Sequence, residues 1–126
     1  LVAVAAGSAL ALFLPTLTQG AAGGVVPTEA VLLINREKAV LIDVCEPNEF
    51  AQGHAVGSKN IPLAQLEAQL PSVVKNKSVP VILVCQSGGR ASRAASQAKK
   101  LGYERAQALA GGLKAWREAS LPTEKA

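Results

Sequence analysis

Val79-Pro80-Val81-Ile82-Leu83-Val84-Cys85-Gln86-Ser87-Gly88-Gly89-Arg90 is the stretch whose reading decides the fold of this chain. Its first half is a β-branched apolar run with Pro80 near the start, as expected of a strand covered on both faces. Its second half breaks that run with two glycines, after which 90–101 is an alanine-rich helical stretch stopped at Gly102. A buried strand that turns sharply into a helix is one half of a parallel crossover unit.

The same alternation extends outward in both directions. Upstream, Thr28 is the expected N-cap of a short helix over 29–34, with Glu29 in its first turn. The run Ala39-Val40-Leu41-Ile42-Asp43-Val44 reads as a second doubly covered strand. Residues 46–62 carry turn chemistry (Pro47, Gly53, Gly57, Pro62), and 63–70 has helical periodicity. Downstream, 106–109 is expected to be a short strand and 113–119 a last helix, ended before Pro122. The fold class is therefore α/β, with a mainly parallel central sheet flanked by helices and right-handed crossovers. In such sheets ligands bind outside the carboxyl ends of the strands, so the turn at Cys85 is the place to look for chemistry.

Ahead of this domain lies a segment of different character. All 13 basic and 9 acidic residues of the 126-residue chain occur from Glu29 onward, so the 17% charged fraction averages a charge-free head and an ordinarily charged domain. Residues 1–17 hold 13 apolar residues and no charge, and they are apolar all the way round a helix. We expect a transmembrane anchor over 1–17, truncated at its start since the chain has no methionine. A Gly/Pro tether over 18–27 and a domain over 28–126 would follow. A secretory signal segment cleaved among the small residues near Gly20 is the alternative. Only Arg36 is basic in the first twenty residues after the span, so the positive-inside rule has little to count.

Composition excludes several functions. The net charge of +4 comes with interspersed acids, 3% aromatics and no long basic run, so no nucleic-acid partner is expected and a mild attraction for small anions is. Two cysteines and one histidine are too few for a structural zinc site or a disulfide framework, and no metal or cofactor is expected. No nucleophile elbow, dinucleotide fingerprint or P-loop occurs, and His54 in its turn fits a structural hydrogen-bond donor better than a catalytic base.

What remains is Cys85. Gly88 and Gly89 free the loop to aim successive N–H groups inward as an anion-binding nest, reinforced by the following helix N-terminus. Helix N-termini and nearby arginines favour the thiolate of a cysteine, and the thiolate is the nucleophile. Arg90 supplies a planar cation matched to an oxyanion such as thiosulfate or sulfite. Gln86, Ser87, Gly88, Gly89 and Arg90 form the candidate substrate loop. Three further residues carry two readings each. Asp43 either braces that loop or caps a backbone N–H; Cys45 either resolves an oxidised Cys85 or packs; Arg93 either steers anions or is a solvated helix charge.

Four ordered motifs give a resemblance. Asp43-Val44 with Glu46 and Glu49-Phe50, Gly53-His54-Ala55-Val56-Gly57-Ser58-Lys59-Asn60-Ile61-Pro62, the loop Cys85 to Arg90, and Gly111-Gly112-Leu113-Lys114-Ala115-Trp116 resemble those of the rhodanese (sulfurtransferase) family over about residues 28–122. With its apolar head the chain looks most like the membrane-anchored single-domain rhodaneses of bacteria. The resemblance implies a rhodanese-like fold and transfer of a sulfane sulfur from a small anionic donor, through a persulfide on Cys85, to a thiol or cyanide-like acceptor. It also implies a single-pass inner-membrane protein, with the domain expected on the cytoplasmic side. Rhodanese-fold phosphatases and arsenate reductases place five residues between cysteine and arginine, against four here, which ranks that chemistry below sulfur transfer. A membrane-tethered binding module with little turnover is the alternative from another class. The chain departs from the family pattern at Cys45, where many members carry arginine, and at Ala91, where a hydroxyl residue is common.

Overall fold

The computed structural model describes residues 24–125. In chain order they form β1 (Gly24–Val25), α1 (Pro27–Glu37), β2 (Val40–Asp43), α2 (Pro47–Gln52), β3 (His54–Ala55) and β4 (Lys59–Asn60). A 3₁₀ turn (Leu63–Gln65), α3 (Leu66–Val73), β5 (Val81–Val84), α4 (Gly89–Lys100), β6 (Ala106–Leu109), α5 (Gly112–Glu118) and β7 (Thr123–Glu124) complete the order. Five strands make one sheet in the order β1-β6-β5-β2-β4, every neighbouring pair parallel. Its central strand is β5, which pairs with β2 in the register Val40 to Val81 through Asp43 to Val84.

Period-two alternation in these strands separates two cores. From β5, Val81 and Leu83 pack into one cluster with Leu66 and Leu70 of α3 and Ala91, Ala94 and Ala98 of α4. Ile82 and Val84 point the other way, joining Ala30 of α1 and Leu113 and Trp116 of α5. The alanines of α4 are what let that helix lie close over the strands that feed the Cys85 turn. The doubly covered strands expected from the apolar runs are thus present, β6 with the expected bounds, and the flanking helices cover both faces of a wholly parallel sheet.

Departures fall where local signals are weak. The first helix begins at Pro27, not after a Thr28 cap. Val26 occupies the cap position without a side-chain bond, and Pro27 at the first turn needs no donor partner. It continues to Glu37 and closes with Lys38 at φ +61°. The expected turn region 46–62 contains α2 and two short strands. Gly24 and Val25, assigned to the tether 18–27, form the edge strand β1 against Ala108 and Leu109. β3 pairs antiparallel with β7 and brings the end of the chain against His54. Among the described residues no helix is long and apolar enough to cross a membrane. The anchor expected over 1–17 lies outside the described residues.

Candidate active site

Cys85 is the first residue past the C-terminal end of β5, and its thiol is buried, with 1% of the residue exposed. The chain then turns through Gln86 and Ser87 to Gly88, whose φ of +116° lets it serve as the N-cap of α4. That turn carries the Gly88 N–H to within 2.9 Å of Cys85 Sγ, and the Ala91 N–H approaches the same sulfur at 3.4 Å. Two main-chain donors and a helix N-terminus therefore converge on one sulfur, an arrangement that favours negative charge there. Ser92 donates its hydroxyl to Gly88 O at 3.1 Å and so braces the loop from behind. Ser87 is exposed, as is Gly89.

The carbonyl side of the loop is held by an element to which the sequence reading gave no role in the site. Leu113 N–H donates to Cys85 O at 2.8 Å and Lys114 N–H to Gln86 O at 3.2 Å, so the free N–H groups of α5 consume the loop carbonyls. Gly112, at φ +62°, permits this approach: a Cβ there would lie 2.5 Å from Cys85 O. With its carbonyls turned onto α5, the loop presents its N–H groups to the sulfur.

Arg90 was expected to face an oxyanion. Its guanidinium is committed to Glu49, with Nη1 to Oε1 at 2.8 Å and Nη2 to Oε2 at 3.2 Å. This bidentate pair holds the Glu49 carboxyl below its ordinary range, chiefly through the hydrogen bonds from Arg90, and raises Arg90 in turn. Glu49 does double duty, since it also accepts the Glu46 N–H at 2.9 Å in the capping box of α2. Two of the five guanidinium donors are used by Glu49, and the remainder are available to a ligand.

Asp43 and Cys45 sit together at the end of β2. Asp43 Oδ1 accepts the Cys45 N–H at 2.9 Å, capping the end of β2, and burial raises its carboxyl above the usual range. Burial first, and the Asp43 carboxylate second, push the Cys45 thiol up to about 12, so it is a protonated thiol at neutral pH. Gln86 Nε2 lies 3.8 Å from Cys45 Sγ, which links the loop to the β2 end. Both cysteines are free thiols. Asn60, inside the second motif but unassigned from sequence, donates Nδ2 to Asp43 O at 3.0 Å and Cys45 O at 2.9 Å. His54 is the structural donor expected: Nδ1 gives its proton to Phe50 O at 2.7 Å, the ring stacks on Phe50, and Nε2 sits 3.4 Å from Glu124. Arg93 is exposed, one turn past Arg90, and with it lines an open cleft of about 440 Å³ beside the loop. Among the described residues no cluster of histidine, cysteine and carboxylate side chains could hold a metal ion.

Residues 26–119 match the rhodanese-like domain family. The uncharacterized protein YqhL of Bacillus subtilis is 44% identical over 89 residues, covering 71% of this chain and 69% of that protein. The chloroplastic thiosulfate sulfurtransferase 16 of Arabidopsis thaliana is 34% identical over 93 residues, covering 66% of this chain and 78% of that one. The human single-domain sulfurtransferase TSTD1 superposes with a TM-score of 0.67 at 29% identity, covering 76% of this chain and 96% of that structure. The chain spans 55% to 69% of the length of three uncharacterized bacterial relatives that it matches.

Proposed function

The chain belongs to the rhodanese-like domain family, and from that membership we propose that it is a sulfurtransferase working through a persulfide on Cys85. The observation that carries this reading is the convergence of the Gly88 and Ala91 N–H groups on Cys85 Sγ, which places main-chain donors around the sulfur that would react. In the first half-reaction the Cys85 thiolate attacks the outer sulfur of thiosulfate. A new S–S bond forms to Cys85, the donor S–S bond breaks, and sulfite leaves with the bonding electron pair. In the second, an acceptor thiolate attacks the outer sulfur of the protonated persulfide, becomes a persulfide itself, and returns Cys85 as thiolate. The loop N–H groups stabilise the charged sulfur in both steps. Arg90 guides the dianionic donor while Glu49 keeps its guanidinium in place. Arg93 adds a second cation on the approach.

Residues 1–17 would tether this activity to a bacterial inner membrane with the domain on the cytoplasmic side, which a reporter fusion at each end of that segment tests directly. The activity itself is tested by sulfite release from thiosulfate in the presence of a thiol, alongside hydrolysis of an aryl phosphate. The proposal requires sulfite release that exceeds phosphate hydrolysis, and loss of that release in Cys85→Ser. Phosphate hydrolysis without sulfite release would overturn it.

A further inference from the structure

The two ends of the parallel sheet differ in charge. Cys85 lies at the end where the strands finish. At the end where they begin, α1 closes with Arg36, Glu37 and Lys38, and the loop from α3 to β5 carries Lys75 and Lys77. There too α4 closes with Lys99 and Lys100, and Glu104 and Arg105 lead into β6. All of these side chains are exposed. They share one surface: Lys77 Nζ donates to Leu101 O at 2.7 Å, just past α4, and Arg105 pairs with Glu37 at the end of α1. This surface holds seven of the chain's 13 basic residues and two of its nine acidic ones, so the net charge of +4 is an excess of five positive charges here against a slight acidic excess elsewhere. The three helix C-termini at this end contribute about 1.5 negative charges, too few to cancel it. With Arg105 paired and Lys77 held by a carbonyl, the cations do not converge on one small anion. Spread over an exposed face, they suit a planar anionic surface.

The chain arrives at this same face. β1 runs parallel to β6, with Gly24 opposite Ala108, so it leads away from the basic end. Between Gly24 and the charge-free segment 1–17 lie six residues, at most about 25 Å of extended chain. Resting on the reading of 1–17 as a membrane tether, we infer that the basic end of the sheet lies on the anionic phospholipid headgroups around that tether, with the Cys85 loop at the opposite end facing water. Lys38, Lys75, Lys99 and Lys100, which among the described residues enter no ion pair, are the cations offered to the lipid. Sulfur donor and acceptor then reach Cys85 from solution, not from the bilayer.

Lysine footprinting tests the inference. The full chain is added to vesicles of phosphatidylcholine and to vesicles of equal parts phosphatidylcholine and phosphatidylglycerol, and exposed lysines are acylated with a membrane-impermeant reagent and mapped by mass. Lys38, Lys75, Lys99 and Lys100 should label about fivefold or more slowly on the anionic vesicles than on the neutral ones. Lys59 and Lys114 should label equally on both, and molar salt should abolish the difference. Lys99→Glu combined with Lys100→Glu should remove the protection of Lys38 and Lys75 while Lys59 and Lys114 keep the parent's rates. The charge-matched pair Lys59→Glu and Lys114→Glu should leave that protection in place. Equal labelling on the two vesicles, protection that survives molar salt, or equal protection by a DNA duplex at matched phosphate concentration would overturn the assignment. Sedimentation with neutral vesicles in molar salt is read in parallel. Its failure counts against the tether and with it the inferred orientation, whereas retention without lipid-dependent protection counts against the basic face alone.

Discussion

Cys85 and Cys45 are the same side chain at the ends of neighbouring strands, and their surroundings give them different fates. Cys85 accepts two main-chain N–H groups, whereas Cys45 lies against the Asp43 carboxylate in a buried setting that pushes its thiol up to about 12. Both residues are only 1% exposed, so burial alone does not separate them, and alkylation followed by peptide mapping at neutral pH should label Cys45, held as a protonated thiol, far more slowly than Cys85. Labelling of Cys45 near neutrality as fast as that of Cys85 would contradict this contrast. Asp43 itself makes a pH prediction. Its folded carboxyl is raised above the unfolded value of 3.8, so its contribution to stability is greatest below that value and is lost as pH rises through the folded one. Asp43→Asn keeps an acceptor for the Cys45 N–H and removes the buried charge. The variant should melt higher than the parent at neutral pH, and the difference should shrink toward nothing in acid below 3.8. An advantage that grows in acid would reverse the sign and refute the account.

At the scale of elements, the loop is a short strand end gripped by two helices, one through its N–H groups and one through its carbonyls. α5 supplies the second grip, and Gly112 is the residue that lets it close. Gly112→Ala imposes left-handed backbone on a residue with a Cβ, which costs about 1–2 kcal/mol before the contact with Cys85 O is counted. Urea unfolding should show at least that loss, and sulfur uptake should slow more than in an exposed control such as Lys114→Ala. The elements legible from sequence were those whose signal is local. β2, β5 and β6 declare themselves by apolar runs because both faces are covered, and the Cys85 loop by glycines next to a nucleophile. α2 stayed hidden because it is six residues long, buries none of them, and is capped by Glu46 and Glu49, not by serine, threonine or asparagine. β1 was hidden because two residues, one a glycine, look like a tether until β6 is placed beside them. The Arg90–Glu49 pair joins positions 41 apart in the chain, which no local pattern reveals.

For the whole molecule, the end of the domain is tied back to its middle. Trp116 Nε1–H donates to Pro122 O at 2.8 Å, Val56 N–H donates to the same carbonyl, and β7 pairs with β3 beside His54. Removing residues 122–126 leaves the indole N–H of a core tryptophan without its acceptor, so the melting curve should report a loss of about 1–3 kcal/mol. An unchanged melting temperature would mean that this strap is ornamental. Everything the sheet, the two helical grips and the strap accomplish is the fixed placement of one sulfur atom at the end of β5. The most direct test is the intact mass of the chain after incubation with thiosulfate, with Cys85→Ser beside it. The account predicts that the chain gains the mass of one sulfur atom, that the gain is lost on reduction or on adding a thiol acceptor, and that Cys85→Ser gains nothing. A chain that gains no sulfur, or a serine variant that gains it equally, would contradict the central claim.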